Sequence, residues 1–203
     1  MILSFLKIAE VYSGAFMLRN TTKSFGSLTK FFHWLLFCLI CMQFYFIFGQ
    51  DLLPQESPVR IQYILLHKSF GLTLFFLGLL FIFWRFINPK PQSLKSQPYW
   101  KHIIAKCVHH TLLIFIILMP ILGYLMSCAD GRTVSFFGLF NMPCSISKNK
   151  YLSNLFFQMH EKIGYLFLIL IGIHIFAALH HHFILKDNVL KRMLPFTDKK
   201  SEQ

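Results

Sequence analysis

The residues best equipped for chemistry in this sequence are histidines, ten in 203 positions. The most informative two, His160 and His174, stand 14 residues apart in one apolar stretch. At 100° per residue that spacing brings both to within about 40° of one helix face, roughly 21 Å apart along the axis. A single helix then offers two imidazoles on one face, one towards each end. Imidazole is a ligand for transition metals, and two imidazoles opposed across a bundle can hold one haem iron axially. His33 and His67, in two other apolar stretches, are the candidate partners.

The elements that must carry these histidines are set by run length. About 20 apolar residues span a bilayer as a helix. Residues 31–50, 107–129 and 163–185 hold no charged residue, and 61–84 hold only Lys68. The chain is 55% hydrophobic, 17% aromatic and 14% charged, with 25 Phe. That charge content is well below the roughly 25% of soluble domains, and it excludes a disordered chain. The expected fold is all-α, an integral membrane four-helix bundle. Its spans run about 30–50, 60–86, 102–128 and 152–185, within a transmembrane domain at 28–195. Residues 1–27 read as an N-terminal extension and 196–203 as a polar tail. Pro89, Pro91 and Pro98 mark the middle connection as non-helical, and Pro120 is expected to kink the third helix.

The net charge of +12 is distributed around these runs rather than gathered on a soluble face, which argues against nucleic acid as a partner. Fourteen of the 20 Lys and Arg lie before the first span, between the second and third, or after the fourth. By the positive-inside rule both termini and the middle loop are cytoplasmic. His160 and His67 then share the outer depth, and His33 and His174 the inner depth. The pairing follows as His67 with His160 and His33 with His174. Gly71 and Gly164 each follow an outer histidine by four residues, on the same face, where a missing side chain leaves room for a porphyrin plane. Small residues also serve plain helix packing there.

The remaining histidines have weaker claims. His102, His109 and His110 have no spare partner at their depth and are expected in interfacial or packing roles. Of the tract His180–His182, His181 lies seven residues after His174 and shares its face, whereas His180 does not. Cys38 and Cys41 form C-x-x-C inside the first span, where they read as small apolar residues. Cys128 and Cys144 fall in the outer loop and can pair if it faces an oxidising compartment, although spacing alone does not fix the geometry. Residues 1–20 lack the basic n-region and apolar core of a secretory signal. They read either as an interfacial helix or as the product of an early start, with Met17 the true one.

The sequence resembles the bacterial cytochrome b561 family of four-helix, di-haem inner-membrane proteins. The matching text is FFHW around His33, LLHKSFG around His67, MHEKIGYLFLILIGIHIFAALHHHF from Met159 and KDNVLKRMLP from Lys186. The resemblance implies two haem b groups with His33, His67, His160 and His174 as axial ligands. It implies electron transfer from the outer face to a membrane quinone and, in the most similar members, oxidation of superoxide with reduction of ubiquinone. It places the quinone region near Trp34 and His181. One departure is Phe157, which aligns with a basic residue of the family.

Two functional classes follow from the same haems. In the first, superoxide delivers electrons at the outer mouth, where Arg60, Lys68 and Lys162 would steer a small anion inward or serve as interface anchors. His181 would supply a proton to the quinone. In the second, the chain is the haem-anchor subunit of a respiratory dehydrogenase, and the electron donor is a protein. A histidine-based metal-ion transporter is disfavoured by the absence of Asp and Glu from the apolar runs. Lipid and quinone are expected partners in either class.

Overall fold

The computed structural model describes residues 18–22, 24–92 and 98–195. The leader with its alternative start at Met17, the polar tail, and Lys7, Lys23, Lys95, Lys199 and Lys200 of the inner charges lie outside them. Four long helices dominate: α1 (Ser27–Asp51), α2 (Pro58–Ile87), α3 (Tyr99–Ala129) and α4 (Lys150–Phe183). All four are long and apolar enough to cross a membrane. The expected spans are met, each helix starting two or three residues earlier. Between α3 and α4 a short antiparallel hairpin forms, β1 (Val134–Phe136) with β2 (Phe140–Met142). A single 3-10 turn (Lys191–Met193) follows α4.

Local chemistry sets the boundaries. Pro58 occupies the first position of α2, where its missing N–H costs nothing. Asn149 caps α4 by accepting from Leu152 N at 3.1 Å. The guanidinium of Arg60 donates to the carbonyls of Gln50 and Leu53, each at 3.0 Å, and so satisfies backbone acceptors where α1 ends. Pro120 lies inside α3, whose helix continues to Ala129.

Leu36, Leu39, Leu74, Phe81, Phe115, Ile116 and Phe167 form the buried core, with every helix contributing. Within lipid this contact is held by close packing rather than by expulsion of water. Gly78 shows how tight it is, since an added Cβ would meet Ile116 Cγ2 of α3 at 2.6 Å. Close backbone packing runs in chain order, α1 on α2, α2 on α3 and α3 on α4. Helix α4 meets α1 and α2 chiefly through side chains, among them Phe44 with Phe167 and the histidine pairs described below.

Two connections brace the ends of the bundle. At one end, Cys128 and Cys144 form a disulfide across 16 residues. Closing a loop of that length stabilises a fold by about 3 kcal/mol in the chain-entropy account. Beside it, the carboxylate of Asp130 meets Arg132 at 2.7 Å, Lys150 at 3.4 Å and the Ser153 hydroxyl at 3.4 Å. Burial works against ionisation of Asp130, but Arg132, Lys150 and Ser153 outweigh it and hold the carboxyl below its usual range. At the other end, Trp84 Nε1 donates to Thr29 Oγ1 at 3.0 Å, Thr29 Oγ1 donates to Asn20 Oδ1 at 2.7 Å, and Asn20 Nδ2 donates to the Pro89 carbonyl at 3.1 Å. This chain of bonds ties the segment before α1 to the end of α2.

Candidate functional site: two facing histidine pairs

The helices bring together the four histidines singled out by face and depth. His33 of α1 faces His174 of α4 with ring centres 6.2 Å apart and planes at 55°. His67 of α2 faces His160 of α4, also at 6.2 Å, with planes at 81°. Both pairs join α4 to a helix on which its backbone does not pack closely.

The outer pair shows how each ring is aimed. His67 Nδ1 lies 3.3 Å from the Gln43 carbonyl of α1, and His160 Nδ1 lies 3.1 Å from the Met119 carbonyl of α3. A carbonyl only accepts, so each Nδ1 carries the proton and each Nε2 keeps its lone pair. Metal-ligating histidines are typically held in this way, with the second ring nitrogen donating to a backbone carbonyl. Gly123 of α3 makes room for the His160 ring, because a Cβ there would sit 3.2 Å from its Cε1. In the inner pair, His33 Nδ1 is buried without a hydrogen-bond partner among the described residues.

The spacing suits an iron ion between each pair. A first-row metal sits about 2.0 Å from an imidazole nitrogen, and that nitrogen roughly 1.1 Å from the ring centre, so two opposed imidazoles on one metal have ring centres about 6.2 Å apart. The donor chemistry agrees: a pair of imidazoles, with tautomers fixed by backbone carbonyls in the outer pair, suits a haem iron that needs only two protein ligands. The described residues contain no cluster of three or more metal-binding side chains, and bis-histidine haem ligation requires none. The residues therefore fit haem.

The glycines expected beside the outer pair differ from each other. A Cβ on Gly71 would meet only Gln43 Oε1, at 3.9 Å, leaving open space on that face. A Cβ on Gly164 would press on Met119 Cε at 3.3 Å, so this glycine also serves α3–α4 packing.

At the end of the bundle that holds His33 and His174, Trp34 Nε1 donates to the Met193 carbonyl at 2.8 Å, and its ring meets His33 edge-on at 5.3 Å. His181 Nδ1 is 2.5 Å from Asp187 Oδ2. The segment from 181 to 193 thus anchors both residues expected near a quinone. Asp187 went unnoticed in the sequence, although it lies in the KDN motif six residues after His181. His109, expected in an interfacial or packing role with no spare partner at its depth, meets the ring of His174 edge-on at 5.1 Å, a histidine already paired with His33.

The connection between α3 and α4, expected at the outer face, is more structured than a loop. Ser69 Oγ of α2, two residues beyond His67, lies 2.9 Å from the Leu65 carbonyl and 3.1 Å from that of Ser135, and accepts from Phe137 N at 3.0 Å. The hairpin is thereby docked beside His67. Lys68 is half-buried near Arg132 and Asp130, and Lys162 is exposed. Arg60 is engaged with the carbonyls of Gln50 and Leu53 at the end of α1 and lies 3.8 Å from Asp51 Oδ1. Phe157 is 51% exposed.

Residues 24–196 match the family model described as prokaryotic cytochrome b561. The cytochrome b561 homolog 2 of Escherichia coli K12 is 31% identical over 175 residues, covering 86% of this chain and 93% of the relative. The cytochrome b561 homolog 1 of the same organism is 36% identical over 108 residues, covering 52% and 59%. A probable superoxide oxidase of Yersinia pestis is 27% identical over 173 residues, covering 85% and 97%. Family membership implies haem b and membrane electron transfer. Four apolar helices, two facing histidine pairs and a match along almost the whole described chain lead to one conclusion: the protein belongs to the prokaryotic cytochrome b561 family.

Proposed function

We propose that this protein oxidises superoxide at the outer face of a bacterial inner membrane and reduces a quinone, ubiquinone in the first instance, at the inner face. The observation that carries the reading is the pair of 6.2 Å imidazole spacings at opposite ends of the bundle. In this reading His67 and His160 hold the outer haem b, and His33 and His174 the inner one. Haem b, when bound, supplies one-electron redox chemistry. Each haem would be held by two histidines of this chain, an arrangement that would favour outer-sphere electron transfer over oxygen activation.

The chain's own residues do the rest. Nδ1 bonds to Gln43 and Met119 fix the outer rings. Lys68 and Lys162 place positive charge at the outer mouth and attract a small anion. Arg60 adds charge there, partly offset by Asp51. At the inner face Trp34 forms a wall, and His181 delivers a proton while Asp187 holds its ring. The balance is two superoxide ions giving up two electrons to become two dioxygen molecules, and one quinone gaining two electrons and two protons.

The orientation with both termini cytoplasmic follows from the positive charges and is supported by the Cys128–Cys144 disulfide, which suits an oxidising outer compartment. The Yersinia relative, named a probable superoxide oxidase, supports the choice of donor. Purified protein in liposomes containing ubiquinone tests the reading. Superoxide generated outside should reduce the haems and then the quinone. If haem reduction requires an added dehydrogenase and superoxide does nothing, the chain is an anchor subunit instead.

A further inference from the structure

The inner end of the bundle carries a cation with no counter-charge. Arg85 lies in the last turn of α2 and is half-buried. Among the described residues no acceptor or carboxylate meets its guanidinium. Removing a charge from water without a partner is costly, so an anion is expected to complete the site. The described protein offers none. Asp51, Glu56, Asp130 and Glu161 belong to the outer end, and Asp187 is already engaged by His181 at 2.5 Å and by Val189 N at 3.0 Å.

A second group converges on the same place. His109 of α3 lies within electrostatic range of Arg85 and of His33. Its ring meets the ring of His174 at 5.1 Å. The His109 imidazole therefore flanks the inner histidine pair, and the Arg85 guanidinium lies at the same end of the bundle, within electrostatic range of it; both are hydrogen-bond donors. The planar fork of Arg matches a carboxylate with two parallel bonds. A neutral imidazole donates one N–H, so His109 need not be protonated to take part.

We propose that Arg85 and His109 form a carboxylate-binding site for a propionate of the inner haem. The proposal rests on the reading above that His33 and His174 hold that haem. The macrocycle is apolar and suits the bundle, but its two propionates are anions that require donors. An anionic lipid headgroup would bring similar chemistry from the membrane surface, and the test must separate the two sources.

The experiment is a redox titration of purified protein in nanodiscs of neutral lipid, with haem content measured alongside. A cation beside the propionate favours the reduced haem. R85Q should lower the reduction equilibrium of the inner haem about tenfold, or ~59 mV for a one-electron couple. The outer haem should titrate as in the parent, which also reports an intact fold. R85K should recover most of the shift, and H109F, which keeps an aromatic ring against His174, should give a smaller shift of the same sign. If R85Q does not accumulate, a selective inner shift in H109F still supports the site, and an unshifted H109F overturns it. Parental potentials in R85Q overturn the proposal. A shift that appears only in anionic nanodiscs assigns the cation to lipid and also overturns it. H174A separates this failure from failure of the ligand reading. Loss of the inner haem in H174A, with R85Q unchanged, sinks only the carboxylate site. Retention of both haems in H174A sinks the ligand reading itself.

Discussion

His160 shows how much one residue can carry. Its ring faces His67, takes its direction from the Met119 carbonyl, and occupies the space that Gly123 leaves. Replacing it by Ala removes one partner of the outer pair and leaves His33 and His174 opposed. H160A is therefore expected to fall from two haems per chain to one, measured as the pyridine haemochrome, with the inner haem retaining its spectrum. Loss of both haems from a folded protein would mean that the pairing is wrong. The pairs were legible in the sequence because face and depth are arithmetic on helix geometry. The supports were not. Gln43 and Met119 act through backbone carbonyls, whose use does not depend on side-chain type. Gly123 stands on another helix, 37 positions before the ring it accommodates.

The long helices were equally legible, since uncharged run length alone marks them. The outer connection was not. Its Phe137–Gly138 turn, with φ of 48° and 75°, and its bonds to Ser69 depend on contacts 66 to 68 residues apart. Asp130 binds the end of α3 to the start of α4 through Lys150 and Ser153. A carboxyl held below its usual range when folded adds stability above the ordinary carboxylate pKa, and that stability is lost as pH falls through the folded value. D130N is accordingly expected to melt at a lower temperature than the parent at neutral pH. The gap should narrow as the pH is taken below the carboxylate range, read by thermal unfolding in detergent. A gap independent of pH would show that charge is not what Asp130 contributes.

Across the whole molecule, charge is sorted by side, and this bears on how the donor arrives. If Lys68 and Lys162 draw superoxide towards the outer pair, the pull is screened beyond about 10 Å at 0.1 M salt. Haem reduction by superoxide should slow as ionic strength rises. K162Q should lower both the rate and its salt dependence without altering the haem spectrum. Lys162 is the cleaner choice because Arg60 also binds the end of α1. A parental rate for K162Q across the salt series would rule out steering by this residue.

The way α4 is held extends to the life of the protein in a cell. Its backbone packs closely on α3, whereas its links to α1 and α2 include both histidine pairs. Ligand binding that ties these helices adds its free energy to the folded state alone. Cofactor supply then acts as a quality checkpoint: chains loaded soon after insertion persist, and those that wait expose a loosely attached helix to membrane proteases. In cells blocked in tetrapyrrole synthesis, the protein should turn over faster while its messenger RNA is unchanged. Restoring the precursor should rescue newly made chains. An abundance indifferent to the block would mean that lipid-phase packing alone retains the fourth helix.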